Sequence, residues 1–513
     1  MDKKEGEYMI VCLFTEGSYP YITGGVSSWV HQLITSMPNI KFKIFCIMPS
    51  KEEKIKYRYD IPRNVIEVKT IFLDDYTYIK HRMFKKNCKL SSQEKDDIYD
   101  LLQMNENINW SRLLRIFTKG RKVGSAIDFL QSFEFWKLAL KNYNKDFDSE
   151  SFNNYFWTMR SMLVPFIYLL QQEPIKADIY HSVSTGYAGI VATSFASRTG
   201  KPFLLSEHGI YCREREEEIL KAKWVTGIYK KFWIDFFYAI SIAAYKEAEI
   251  ITSLYYRSRD MQIKLGASSE KTRIVSNGVD ISKFQKSKKE HEGYNVGAIL
   301  RVVPIKDVMT LIKAFKIVCN NIKEAKLYII GPTDEDPEYY QQCNRLVKSL
   351  QLTENIIFTG RVDVSEYLKI IDVIVLTSIS EGQPLVILEA MAARTPVVAT
   401  NVGSCSEMLE KNQFEEACGI ITKLASPNET ATAIIKLLKD PQLREGMGLN
   451  GIKRAKRAYN KKIIIDSFKN FYDILYVDYS WSRSKSRTDK RVNRTSKKTY
   501  QRKALGKTGI YTK

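Results

Sequence analysis

The feature that most constrains this chain is a rhythm that occurs twice: an apolar run, a glycine-containing turn, a stretch at helical spacing, and another apolar run. Residues 8–14 read as a buried strand ending in Thr15-Glu16-Gly17-Ser18-Tyr19-Pro20-Tyr21-Ile22-Thr23-Gly24-Gly25. Val26, Val30, Leu33, Ile34 and Met37 then keep helical spacing, and 43–48 reads as the next strand. This pattern predicts a parallel, Rossmann-like sheet with helical crossovers. It resumes at 178–182, 189–196, 203–208 and 250–253. A second sheet is predicted from near Tyr294, with apolar runs at 296–300, 327–330, 356–358, 373–376 and 396–399, separated by helical patterns such as 308–319 and 384–393.

The expected architecture is α/β, with a first lobe over 1–284 and a second over 285–445, joined by the polar stretch 285–293. Residues 51–175 interrupt the first lobe with an extended stretch near 65–72 and then helical patterns, and read as a largely helical insertion. Helical patterns at 446–480 are expected to cross back to the first lobe. Two lobes facing a cleft favour ligand binding where strand C-termini and helix N-termini converge.

Composition narrows the function class. The net charge of +21 would suit a nucleic-acid binder, but about half of it lies in 481–513, which holds twelve Lys/Arg and one acid, Asp489. That tail lacks apolar periodicity and is expected to be disordered. The body needs no polyanionic partner, and no nucleic acid is expected. At 44% hydrophobic and 27% charged the chain is globular. The start lacks a secretory apolar run, and 232–245, broken by Asp235, falls short of the ~20 residues of a membrane span. Eight scattered cysteines without a C-x-x-C pair fit a reducing compartment and no zinc site. The expectation is a cytoplasmic protein.

Three groups of residues could carry chemistry. Ser378-Ile-Ser-Glu381-Gly382-Gln383-Pro384-Leu385-Val-Ile-Leu-Glu389 follows the run at 373–376. Pro384 suits the first position of a helix, whose free N–H groups and positive dipole end can meet a phosphate. Glu381 and Glu389 can accept hydrogen bonds from a polyol. Arg301 and Lys306, five apart after a strand, can meet a pyrophosphate, and equally suit a solvated loop. Gly24-Gly25 can let an oxygen approach backbone. His208, in Ser206-Glu207-His208-Gly209, can donate to a sugar hydroxyl or shuttle a proton, or can be a satisfied structural histidine. The Arg213–Glu218 run reads as a solvated helical face.

These residues, with Asn277-Gly278-Val279-Asp280 and Pro396-Val-Val-Ala-Thr400-Asn-Val-Gly403, closely resemble retaining family-4 glycosyltransferases of the GT-B fold over about 250–440. The string from Glu16 to His31, with Glu207-His-Gly-Ile-Tyr211, Arg213 and Arg215, is similar to the subgroup that makes Pel-type exopolysaccharide. The resemblance implies a UDP-sugar donor, a growing saccharide acceptor and no metal or other cofactor. It assigns the diphosphate to Arg301 and Lys306, the donor sugar's hydroxyls to Glu381, the ribose to Glu389, and the transferred sugar's surroundings to His208. Gly24 and Gly25 fall near the phosphates and acceptor, and Asn277, Ser378, Gly382, Gln383, Pro384 and Leu385 fall on the donor loops.

A cytoplasmic enzyme beside an inner-membrane synthesis and export complex follows from the subgroup, with the basic tail available for the membrane surface. Three departures from the family pattern stand out, of which Leu300 and the Ser404 region fall at the expected donor end. Leu300 and Arg394 stand where the family commonly has glycine, and Ser404-Cys405-Ser406 replace a more usual Gly-x-Arg. Nucleotide-sugar epimerases and glycogen-synthase-like enzymes share the fold, and a non-catalytic module anchored by its basic tail is the non-enzyme alternative.

Overall fold

The computed structural model describes residues 8–51, 56–78, 88–105, 108–118, 120–225, 227–284 and 289–485. They form two compact units. The first holds residues up to Ser253, Arg259–Arg273 and the chain from Lys469; the second holds Leu254–Ser258 and Ile274–Phe468.

In the first unit, seven strands lie in the order β3-β2-β1-β4-β5-β6-β7. They are β1 (Ile10–Glu16), β2 (Lys41–Met48), β3 (Val65–Phe72), β4 (Ile179–Ser182), β5 (Phe203–Ser206), β6 (Ile250–Ser253) and β7 (Thr272–Ile274). Pairing is parallel from β3 through β6. The middle strands are buried on both faces, which is why they read as unbroken apolar runs. Residues 189–196, part of the apolar rhythm, lie in the helix Tyr187–Thr199. Its ten buried residues in succession lack the one-sided pattern that separates a helix from a strand.

β3 belongs to the sheet, so the insertion starts after Phe72 and not near residue 51. It comprises the helices Ser92–Leu102, Trp110–Thr118, Phe133–Asp146 and Phe152–Leu170 with short helices between them. Ser91 and Ser125 start two of these helices with reciprocal capping boxes, satisfying N–H groups that would otherwise lack partners. The helices share one apolar core with the sheet. Phe117, Phe129 and Phe166 belong to the same cluster as Phe14 and Phe45, whose rings lie 5.4 Å apart.

The second unit has six parallel strands in the order β10-β9-β8-β11-β12-β13. They are β8 (Tyr294–Ile299), β9 (Ala325–Ile330), β10 (Ile356–Gly360), β11 (Val373–Leu376), β12 (Val397–Thr400) and β13 (Gly419–Thr422). Apolar clusters cover both sheet faces. β7 and β13 have no counterpart among the predicted strands; both are short and lie at the sheet edges.

The last described helix, Lys461–Lys485, begins in the second unit and ends in the first. It runs past Trp481, where the basic tail was expected to begin. Residues 486–513, and 285–288 of the polar stretch between lobes, lie outside the described residues. All eight cysteines are free thiols. Among the described residues no helix is long and apolar enough to cross a membrane.

Candidate donor site and its first-unit counterpart

The order of the second sheet explains why two sequence-distant motifs meet. From β8 the chain builds β9 and β10 to one side, then returns beside β8 with β11 and builds outward on the other. The loops leaving β8 and β11 therefore start side by side at the point where the winding reverses. The Ile379 N–H donates to the Ile305 carbonyl at 2.9 Å. The Thr377 hydroxyl donates to the carbonyls of Lys306 and Asp307, both at 3.1 Å.

This zipping sets Lys306 Nζ 2.5 Å from Glu381 Oε1, with only 17% and 11% of their side chains exposed. Arg301 lies on the rim, half exposed, with Nη1 2.8 Å from Glu335 Oε2. Each cation thus holds a carboxylate. The rim pair is worth ~0–1 kcal/mol and is readily exchanged for a stronger anion. The enclosed pair places an ammonium donor and a carboxylate acceptor at one spot.

The turn beneath Glu381 has no room for a side chain at Gly403. A Cβ there would stand 2.2 Å from the Glu381 carbonyl and 2.3 Å from that of Gly382, and φ is +53°. Ser404 ties the same turn, its N–H and hydroxyl both donating to the Gly382 carbonyl at 3.0 and 3.2 Å. Gln383 is buried, and its Oε1 accepts from the Asn277 N–H at 2.6 Å, which brings Asn277 to the donor loop through backbone. Ser378 is fully buried and its hydroxyl has no partner.

Pro384 is the N-cap of the helix Leu385–Ala392, one residue earlier than the first-turn position predicted for it. It provides no side-chain cap, so the first N–H groups remain available to an anion. Glu389 lies one turn beyond exposed Leu385 on the same helix face. Burial raises its carboxyl to about 7, with Lys283 opposing.

The departures from the family pattern acquire structural meanings. Leu300 is buried in the second unit's apolar core. Arg394 is exposed and holds φ +56°, the left-handed conformation that glycine adopts without cost.

The corresponding reversal in the first unit lies between β1 and β4. Gly24 and Gly25 are exposed at the start of the helix Gly25–Thr35. Gly24 has extended backbone, and a Cβ at either position would meet nothing within 4 Å, so the fold itself does not demand glycine there. One turn on, the Trp29 ring stands edge-on to His208 with centroids 4.6 Å apart. Burial lowers the His208 pKa to about 4, and its Nε2 is enclosed without a partner. A neutral imidazole of that kind offers a hydrogen bond. It is a poor proton shuttle at neutral pH.

Sequence reasoning missed the network beneath His208. Glu207 accepts from the Thr185 hydroxyl, the Tyr211 N–H, the Tyr245 hydroxyl and Gln262 Nε2 at 2.6–3.2 Å. Burial raises its carboxyl, with those donors opposing. Buried His181 bridges the Tyr472 and Ser206 hydroxyls at 2.7 and 2.8 Å. Glu16 accepts from the Tyr211 hydroxyl at 2.7 Å. Only the short string Ser206-Glu207-His208 signalled this cluster; its members come from elements scattered from Glu16 to Tyr472. The Arg213–Glu218 run behaves as its pattern implied, with Arg213–Glu216 and Arg215–Glu218 pairs one turn apart.

Comparisons with known proteins agree with this division. A family model described as "Domain of unknown function (DUF3492)" matches residues 9–270, and "Glycosyl transferases group 1" matches 280–454. N-acetyl-alpha-D-glucosaminyl L-malate synthase of Bacillus anthracis is 29% identical over 178 residues, 34% of this chain and 44% of that protein. The capsular polysaccharide biosynthesis glycosyltransferase CapM of Staphylococcus aureus is 28% identical over 329 residues, 61% of this chain and 80% of that protein. UDP-Gal:alpha-D-GlcNAc-diphosphoundecaprenol alpha-1,3-galactosyltransferase of Escherichia coli is 26% identical over 62% of this chain and 80% of its own length.

Among solved structures, Anabaena HepE in complex with UDP and glucose is similar with a TM-score of 0.55 at 15% identity, covering 91% of this chain and all of that one. Sucrose-phosphate synthase from Thermosynechococcus elongatus gives 0.58 at 15% identity, covering 92% and 100%. These likenesses establish the GT-B fold. The chain belongs to the DUF3492 family, whose domain spans just over half of it, and with the group-1 domain that follows it is a glycosyltransferase.

Proposed function

We propose that the chain is a retaining glycosyltransferase that moves a sugar from a UDP-sugar onto a growing polysaccharide, in Pel-type exopolysaccharide synthesis. The observation that carries this reading is the enclosed Lys306–Glu381 pair beside the uncapped start of the Leu385–Ala392 helix. A sugar diphosphate needs positive charge and N–H donors for its phosphates and acceptors for its hydroxyls, and this spot offers both. As the bond from the anomeric carbon to the diphosphate lengthens, negative charge grows on the leaving oxygen. Lys306, Arg301 and the helix N-terminus stabilise it there, so no metal is required.

Glu381 then holds the donor sugar's hydroxyls and Glu389 the ribose. The Ser378 hydroxyl, the backbone at Gly382, Gln383, Pro384 and Leu385, and Asn277 frame the nucleotide. Within the first unit, the open backbone at Gly24 and Gly25 and the uncharged His208 imidazole suit oxygen atoms of a phosphate or a sugar. A UDP-sugar donor is supported by HepE, whose structure contains UDP and glucose, and by the galactosyltransferase named for UDP-Gal. The Pel role rests on the likeness of residues 16–31 and 207–215. It implies a membrane-bound synthesis and export complex as partner, with the tail at 481–513 drawn to anionic lipid at ~1 kcal/mol per basic residue near the surface.

Incubation with UDP-glucose and UDP-N-acetylhexosamines, with and without oligosaccharide acceptors and with EDTA, tests this. The expected result is EDTA-insensitive release of UDP and a product that keeps the donor's anomeric configuration. Isomerised nucleotide sugar, or no binding of any UDP-sugar, overturns it. Removal of residues 481–513 is expected to preserve turnover and weaken liposome binding.

A further inference from the structure

The segment between β1 and the helix Gly25–Thr35 is built around aromatic rings that the reading above does not use. Tyr21 stacks on Tyr57 with centroids 5.3 Å apart and planes 30° apart. Tyr19 and Tyr59 lie 5.2 Å apart, and His31 stands 5.2 Å from Tyr59 and 5.9 Å from Tyr19. The two tyrosine pairs come from segments far apart in sequence, and each is fixed. The Arg58 N–H donates to the Pro20 carbonyl at 2.9 Å. The Tyr21 hydroxyl bonds that of Thr70 on β3 at 2.6 Å, and the Tyr59 hydroxyl bonds that of Ser28 at 3.2 Å. Tyr19 is fully buried at the base, whereas Tyr57 is 53% exposed.

We propose that this tyrosine array is a stacking subsite for a neutral saccharide, the acceptor in the reaction proposed above, on which the identity of the occupant rests. A pyranose ring is amphipathic: its C–H faces lie flat on an aromatic ring while its equatorial hydroxyls reach polar groups at the ring edge. Tyrosine offers both, an apolar face and a hydroxyl, with little side-chain freedom to lose. Exposed Tyr57 supplies the face. Tyr21, behind it, holds that ring in place, which lowers the cost of ordering it on binding.

The exposed charged residues beside Tyr57 and Tyr59 are Lys56, Arg58 and Asp60, a balance of one positive charge that does not match the phosphates of a nucleoside diphosphate and leaves the tyrosine faces as the main feature of the patch. Position argues for the acceptor: Ser28, which holds Tyr59, lies one turn after Gly24 and Gly25, where backbone is open to close approach.

The test titrates the full-length protein with cellohexaose, with chitohexaose and with UDP, by calorimetry or by ligand-observed NMR. At least one hexaose is expected to bind. Tyr57→Ala is expected to weaken it by about tenfold or more, the loss expected for one stacking contact and its buried area. Tyr57→Phe is expected to keep most of the affinity, and UDP affinity is expected to stay unchanged in both. Because Tyr57 is exposed, both variants are expected to melt as the wild type does, and Tyr59→Phe, which keeps the ring, provides a second probe of the same array. No binding of either hexaose, equal binding by Tyr57→Ala, or a matching loss of UDP affinity overturns the subsite. If UDP itself fails to bind the wild type, the donor reading falls, while a hexaose that senses Tyr57 still establishes a saccharide site.

Discussion

The two units place their candidate sites at the same topological position and build them from opposite electrostatics. At the β8/β11 reversal the site is made of full charges, Lys306 with Glu381 and Arg301 with Glu335, on loops cross-bonded through backbone. At the β1/β4 reversal and the neighbouring end of β5 the groups are neutral imidazoles and hydroxyls around buried carboxylates, with His208 and His181 lowered by burial to about 4 and about 3. The contrast teaches that a parallel sheet fixes where a site lies and leaves its chemistry to the loops. One unit is equipped to receive anionic charge, the other to orient hydroxyl groups without adding any.

The largest expected effect breaks the neutral side. Glu207 accepts four buried hydrogen bonds, and each donor left unpaired costs ~1–3 kcal/mol. Glu207→Leu is therefore expected to lower stability by about 4 kcal/mol or more, read by urea unfolding; a loss below about 1 kcal/mol contradicts the network. Next, Lys306→Ala and Glu381→Ala are each expected to cut transfer by about 10²–10³-fold, the scale for losing one preorganised electrostatic group, with the fold retained by circular dichroism. Near-wild-type turnover in either removes the charged pair from the site.

Protonation sharpens the comparison further. The raised Glu389 carboxyl favours the protonated form in the folded state, so its contribution to stability is present at low pH and is lost as pH rises from the usual carboxylate range through about 7. Glu389→Gln is expected to gain stability relative to wild type across that window, with the difference constant above it. The lowered His208 works in the other sense: it favours the neutral form, and its contribution is lost as pH falls from about 6.5 through about 4. Its imidazole NMR signals are expected to show no titration between pH 5.5 and 8. The raised carboxyls of Glu16 and Glu207 act against the histidines, so single-site signals and variants are the decisive readout.

The smallest effect concerns Arg394. A left-handed L-residue costs ~1–2 kcal/mol, partly offset by the added freedom of glycine in the unfolded chain. Arg394→Gly is expected to stabilise the second unit by about 0.5–1 kcal/mol, a small rise in melting temperature.

The second unit was the more legible one because its signal is local. The strand at 373–376 was found at its observed bounds, and Glu381, Gln383 and Pro384 are neighbours in sequence as well as in space. Even there, the salt bridge from Lys306 to Glu381 was invisible, since it depends on β8 and β11 lying side by side. In the first unit the helical insertion delays β4, and the partners of Glu207 and His181 come from six separate places in the chain. The edge strands β7 and β13 escape because Thr272-Arg-Ile274 and Gly419-Ile-Ile-Thr422 hold at most two adjacent apolar residues, whereas Val373-Ile-Val-Leu376 is apolar throughout. Arg394 and Leu300 illustrate another limit: both replace glycine, yet one is strained backbone and the other is core packing, a distinction that only coordinates reveal.

The insertion interrupts the strand rhythm in sequence, and in the fold its Phe117, Phe129 and Phe166 share a continuous apolar core with Phe14 and Phe45. The consequence is cooperative. Hydrogen exchange in these helices is expected to follow the same global opening as β1 and β2, because neither layer keeps its apolar face covered without the other. Trimming the chain between β3 and β4 to obtain a minimal catalyst would therefore uncover the central strands.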